Sequence, residues 1–182
     1  MRRRATLLAL AGLVAAGVGA CAHPPRPANM APDGALVAAG SPLRNAIAVG
    51  TVSGGDKTNP LTFSRVGANE VREAVTLALR ARGMLAADAT SAPFRLDVGI
   101  LEAGLPNDPY MTRVHCVMRY ALRTRDGATV FDRVIETVGE ASVREVFYGV
   151  ERLRVANERA VRANLAAGLD ALAAAPLPQA AP

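Results

Sequence analysis

Residues 112–138 read TRVHCVMRYALRTRDGATVFDRVIETV, and their alternation decides the fold. Val114, Cys116, Met118, Tyr120 and Leu122 occupy every second position, with Arg113, His115, Arg119 and Arg123 between them. Successive side chains of a strand leave opposite faces. The first half is therefore a half-buried strand, predicted over 112–124. Asp126-Gly127 follows, a pair suited to a tight hairpin turn that needs positive φ. Thr129–Val138 is the returning strand, with Val130, Val134 and Val138 on one face.

Working outward, Phe94–Leu101 (FRLDVGIL) alternates in the same way, with Phe94, Leu96, Val98 and Ile100 opposed to Arg95 and Asp97. Asn45–Val52 (NAIAVGTV) is a short apolar run of the kind that makes a buried strand. Between them, 65–82 has a helical period. Val71, Ala74, Val75, Ala78 and Leu79 share a stripe, Ser64 stands where a cap would, and Gly83 marks the end. Gly149–Ala174 is a second, longer helix with Leu153, Val161, Leu165, Leu169 and Leu172 along one side. Arg154, Glu158 and Arg162 are spaced i,i+4 and read as a solvated ridge on the other side, or else as a docking surface. The order β-α-β-β-β-α predicts a parallel first strand pair with a right-handed crossover, then an antiparallel hairpin. The fold class is α+β, a two-layer sandwich with a mixed four-stranded sheet and both helices on one face.

The ends of the chain have a different character. Residues 1–20 carry Arg2, Arg3 and Arg4, then an uncharged apolar run, then small residues before Cys21. This is the layout of an export signal, and its apolar run is short for a membrane-spanning helix. Val18-Gly19-Ala20-Cys21 resembles the lipobox of bacterial lipoproteins. That resemblance implies cleavage before Cys21, lipidation (palmitate) at Cys21 and attachment to a membrane, and Ala22 at the following position implies the outer one. Residues 21–44 are rich in Pro, Ala and Gly without period and read as a flexible tether. Residues 45–174 make one domain, and 175–182 a loose tail.

Charge excludes one class of partner. The intact chain has 21 basic and 16 acidic residues; without Arg2, Arg3 and Arg4 the basic count is 18. A chain so nearly balanced lacks the basic stripe that nucleic acid requires. If Cys21 is lipidated, Cys116 is a lone thiol in an apolar strand, best read as a buried small hydrophobe.

The catalytic patterns fail one by one. Thr51–Pro60 (TVSGGDKTNP) suggests a phosphate loop, yet Asp56 stands where glycine should precede Lys57-Thr58, and Pro60 separates the loop from the helix. His115 and Cys116 are strand neighbours and cannot face each other. Asp56, Glu102, Asp108 and Glu136 are scattered without metal-ligand spacing. No cofactor and no metal is expected, and a non-catalytic protein is favoured. Two surfaces are candidate binding sites: the loop with Gly54, Gly55, Asp56, Lys57, Thr58 and Asn59, and the sheet face with Arg113, His115 and Arg119, whose charge would suit an acidic partner.

The combination of lipobox, Pro/Ala-rich segment and β-α-β-β-β-α order resembles the small YajG-type bacterial lipoproteins. The segments that carry it are AVGTVSGGDKTNPLTFS (48–64), VREAVTLALRARGML (71–85), FRLDVGILE (94–102) and GVERLRVANERAVRANLAAGLDAL (149–172). Similar layouts occur in periplasmic activators of penicillin-binding proteins and in the N-terminal domain of the Tol translocation protein. The resemblance implies a lipid-anchored periplasmic binding or assembly module with an envelope protein or polymer as partner. Two other readings stay open, an auxiliary subunit of an envelope transport or secretion complex and an envelope enzyme acting on lipid or glycan precursors. The sequence sets no oligomeric state.

Overall fold

The computed structural model describes residues 22–103 and 111–177. The signal-type stretch 1–20, Cys21, Asp108 and the end 178–182 lie outside the described residues. The elements in order are α1 (Pro27–Met30), β1 (Ile47–Gly54), α2 (Ala68–Ala81), β2 (Phe94–Ala103), β3 (Met111–Thr124), β4 (Thr129–Ser142) and α3 (Gly149–Ala173). One sheet has the order β1-β2-β3-β4. β1 and β2 are parallel, and the other two pairs are antiparallel. The α+β architecture is the one the alternation predicts, with α2 and α3 together on one face and the short α1 added in front.

The hairpin turns at Gly127, which has φ 93° and donates to the Thr124 carbonyl at 3.0 Å. Inward residues of β2 and β3 are those expected, with Phe94, Leu96, Val98, Val114, Met118, Tyr120 and Leu122 all buried. β4 differs. Val134 and Val138 lie opposite Arg119 and His115 and are exposed on the open face. Phe131, Ile135, Gly139 and Ala141 face the helices instead. Val130 is offset by the irregularity at Leu122/Arg123 and packs against the core.

α2 buries the predicted stripe of Val71, Ala74, Val75, Ala78 and Leu79. Val71, Val75 and Leu79 each contribute about 1.5–3 kcal/mol when fully buried, and the two alanines let the helix approach closely, so the stripe fixes the helix on the sheet. Its start is corrected: Gly67, not Ser64, is the N-cap. After β1 the chain doubles back in a finger. Gly55 pairs with Gly67, and Asn59 with Phe63. That excursion carries Ser64 into the interior before the helix can begin, and its hydroxyl has no partner among the described residues.

α3 comes very close to the sheet. A Cβ on Gly139 would meet the Ala156 carbonyl oxygen at 2.2 Å, and one on Gly168 would meet the Tyr120 ring at 2.6 Å. Asn164, fully buried, ties the layers together. It accepts from the Tyr120 hydroxyl at 2.8 Å and donates to the carbonyls of Cys116 (3.0 Å) and Ile135 (2.8 Å). Every polar atom of its amide thus has a partner, which a buried amide requires.

Residues 22–44, expected as a flexible tether, form a strap bound to the domain. Ala22, Met30 and Leu43 are buried. The Ala22 N–H donates to the Pro60 carbonyl at 2.8 Å, the Val37 N–H to Arg82 at 3.0 Å, and Asn45 to Gly83 at 2.9 Å. The ridge of α3 is what the strap covers. Arg154 and Glu158 are only 6% and 5% exposed, so the solvated reading of that ridge is corrected. Glu158 accepts from the Arg26 N–H and the Asn29 amide, each at 2.8 Å, and from Arg154. Arg162 donates to the Ala31 carbonyl and to Asp33, each at 2.7 Å. The ridge is a docking surface, and its occupant is the chain's own N-terminal segment. A buried carboxylate needs such partners to offset its desolvation.

Candidate functional site

The structure separates the two candidate surfaces. Gly54–Asn59 lies at the end of the sandwich where β1 finishes and α2 begins, whereas Arg113, His115 and Arg119 lie on the open sheet face.

The loop is a tied structure. Gly54 and Gly55 have φ of 81° and 67°. A Cβ on Gly54 would meet the Ile100 carbonyl oxygen at 2.1 Å, so both the angle and the space demand glycine. Asp56 donates its N–H to Val66 at 3.0 Å, and its carboxylate pairs with Arg65. The Thr58 hydroxyl bridges the Arg65 carbonyl and N–H, both at 3.0 Å. The Asn59 side chain accepts from the Leu61 N–H at 3.0 Å. An open cleft of about 410 Å³ lies between the finger and α2, lined by Gly54, Gly55, Asp56, Lys57, Thr58, Pro60, the first turn of α2, and Pro24 of the strap. Asp56 and Glu70 both border this cleft, so its charge does not favour a phosphate.

On the open face every candidate cation has a carboxylate on the neighbouring strand. Arg113 donates to Glu140 at 2.6 Å, and Arg119 to Asp132 at 2.8 Å. His115 Nδ1 stands 3.7 Å from Glu136, and Arg123 stands 3.2 Å from Asp97. The hydrogen bond from Arg119 holds the Asp132 carboxyl below its ordinary value and raises the Arg119 guanidinium. The face is an alternating ladder rather than the cationic patch expected. A depression of about 360 Å³ opens in it around Gly99, where the sheet has no side chain to fill it.

His115 and Cys116 leave opposite faces of β3, as their spacing requires. Cys116 is fully buried, and burial pushes its thiol up to about 12, which leaves no thiolate to act as a nucleophile. Among the described residues no group of three His, Cys, Asp or Glu side chains is placed to hold a metal ion, and no helix is long and apolar enough to cross a membrane. Sequence reading missed the strap contacts of Ala22, Arg26 and Asn29. The one available signal was the i,i+4 charge spacing on α3, which serves a covered surface as well as a wet one.

The geometry defines a small α+β sandwich with a strapped N-terminal segment. No family model and no curated protein matches the chain. Solved structures do share the fold. One is a candidate lipoprotein from Caulobacter crescentus CB15, 14% identical, with a TM-score of 0.53 over 72% of this chain and 90% of that one. Another is a Xanthomonas campestris protein of the DUF330 family, 11% identical, with a TM-score of 0.51 over 81% of this chain and 91% of that one. At these identities the likeness is one of fold.

Proposed function

We propose that this chain is a lipid-anchored envelope lipoprotein, acylated at Cys21 and facing the periplasm from the outer membrane, that works as a non-catalytic binding or assembly module. The observation that carries the reading is the Val18-Gly19-Ala20-Cys21 lipobox joined directly to a segment built into the domain. The likeness in fold to a candidate lipoprotein supports it. The buried thiol of Cys116, and the placing of His115 on the opposite face, support a role without catalysis.

The open sheet face is the partner surface in this reading. Neither α2 nor α3 covers it, and it offers Arg113, His115 and Arg119 beside exposed Val134 and Val138. Its partner is an envelope protein or polymer able to match alternating charge. Palmitate labelling with membrane fractionation tests the anchor. Label and membrane association disappear in Cys21→Ser; label that survives the substitution contradicts the assignment. In-cell crosslinking tests the face, because an Arg113→Glu/Arg119→Glu variant loses its crosslinked partner. Retention of every crosslink would show that the partner binds elsewhere.

A further inference from the structure

The described aromatic side chains fall into two groups. Phe94, Tyr120 and Phe131 are in the core, at 2%, 1% and 8% exposure. Phe63, Phe147 and Tyr148 are out in solvent, at 47%, 78% and 73%. The exposed three lie at one end of the sandwich. There β1, β2 and β4 finish, β3 starts, and both long helices begin. Leu61, 89% exposed at the tip of the finger, and Val143 lie at the same end. The opposite end presents the polar turn 124–128 and the Asp88–Thr90 turn, with Leu36 the one large exposed apolar side chain near it among the described residues.

The strap decides what covers this end. Ala22 is buried, and its N–H bonds to Pro60, next to Leu61 in the finger. Residue 21 is one Cα–Cα step of about 3.8 Å from Ala22. A flexible segment of two dozen residues would let the domain float about 25–30 Å from its anchor, but the bound strap removes that slack. On the anchoring reading, acyl chains on Cys21 would then enter the membrane beside the finger and keep the finger at the surface.

Resting on the anchoring reading above, we infer that this end of the sandwich is a second membrane contact, in which Leu61, Phe63, Phe147 and Tyr148 enter the headgroup layer around the lipidated cysteine. Aromatic and aliphatic side chains of this kind belong at the boundary between headgroups and acyl chains. Phe147 and Tyr148 stand edge to face, 5.7 Å between ring centres, and so form a compact wedge. Lys57, the chain's only lysine, and Arg144 are exposed on the two loops and suit anionic headgroups. The contact does not hold the protein on the membrane, since the acyl chains do that. It sets orientation: the sheet stands on its end, and the open face looks sideways along the surface, clear of lipid.

The chain contains no tryptophan, so single-tryptophan variants report on each position without background. Phe63→Trp, Phe147→Trp and, as control on the open face, Val134→Trp would each be purified as the full acylated chain. Each would be placed in phosphatidylethanolamine/phosphatidylglycerol vesicles with brominated acyl chains, after mass spectrometry has confirmed lipid on Cys21. Emission from positions 63 and 147 shifts to the blue and is quenched several-fold more than emission from 134. Equal quenching at all three positions on a confirmed acylated protein overturns the inference and leaves the anchor standing. A blue shift at 63 and 147 without bromolipid quenching overturns it in favour of a protein covering this end. Absence of lipid on Cys21 overturns the anchoring reading itself, and the inference with it.

Discussion

Two charged surfaces of this protein are built from the same residue types and mean different things. On the open sheet face, Arg113–Glu140 and Arg119–Asp132 pair across strands with their side chains about half exposed to water. On α3, Arg154 and Glu158 pair one helical turn apart and are sealed beneath the strap. In water an ion pair contributes little, because solvent competes for both partners. Under cover each charge has lost its hydration, and every remaining partner becomes necessary. The difference lies in what covers the charges, and a local sequence window does not contain the cover.

Removing Glu158 should have the largest effect. Glu158→Ala leaves Arg154 with only the part-exposed Glu151 as counter-charge and frees the Arg26 N–H and the Asn29 amide inside the covered surface. A loss of about 3–5 kcal/mol is expected for breaking such a pair, read from urea unfolding. A loss no larger than that of an exposed pair would erase the distinction between the two surfaces. Arg119→Ala on the open face should cost less than about 1 kcal/mol, and the difference from wild type should shrink further at about 1 M salt. A salt-independent loss would show that the ladder is not solvated as described.

The smallest effect concerns pH. Glu145, in the turn before α3, accepts from Arg159 and from the Ser142 N–H and hydroxyl, which lowers its carboxyl from 4.5 to about 2. A carboxyl depressed in the folded state stabilises above its unfolded value of 4.5, and that stabilisation disappears as pH falls toward about 2. Glu145→Gln should therefore be the less stable protein at pH 7 and converge with wild type near pH 2. Unfolding curves across that range that run parallel would refute the assignment.

Most of the fold was legible in the sequence because it is written in local periods. The 112–138 alternation, the Asp126-Gly127 turn and the two helical stripes each depend on residues a few positions apart, and the sheet follows from them. The strap was not legible, because its partners lie far along the chain: Arg26 and Asn29 meet Glu158 at a separation of about 130 positions. Its Pro/Ala-rich composition matches that of a free linker, and only the third dimension supplies its contacts. The start of α2 was misplaced for a related reason. Ser64 is a good cap in isolation, but the Gly55–Gly67 pairing closes a finger that keeps it inside. The candidate residues were placed on their elements, Gly54–Asn59 in a loop and Arg113, His115 and Arg119 on the open face. The pairing of Arg113, His115 and Arg119 with Glu140, Glu136 and Asp132 was invisible, because register across strands is not a local property.

The central claim is that the segment after Cys21 belongs to the fold. Hydrogen–deuterium exchange at the amides of Ala22, Met30, Ala31 and Val37 tests it most directly, since each donates to a backbone carbonyl. Protection at these amides that falls selectively in Glu158→Ala, while the β2–β3 amides stay protected, is the predicted result. Exchange at the rate of an unstructured chain in the wild-type protein would contradict the account.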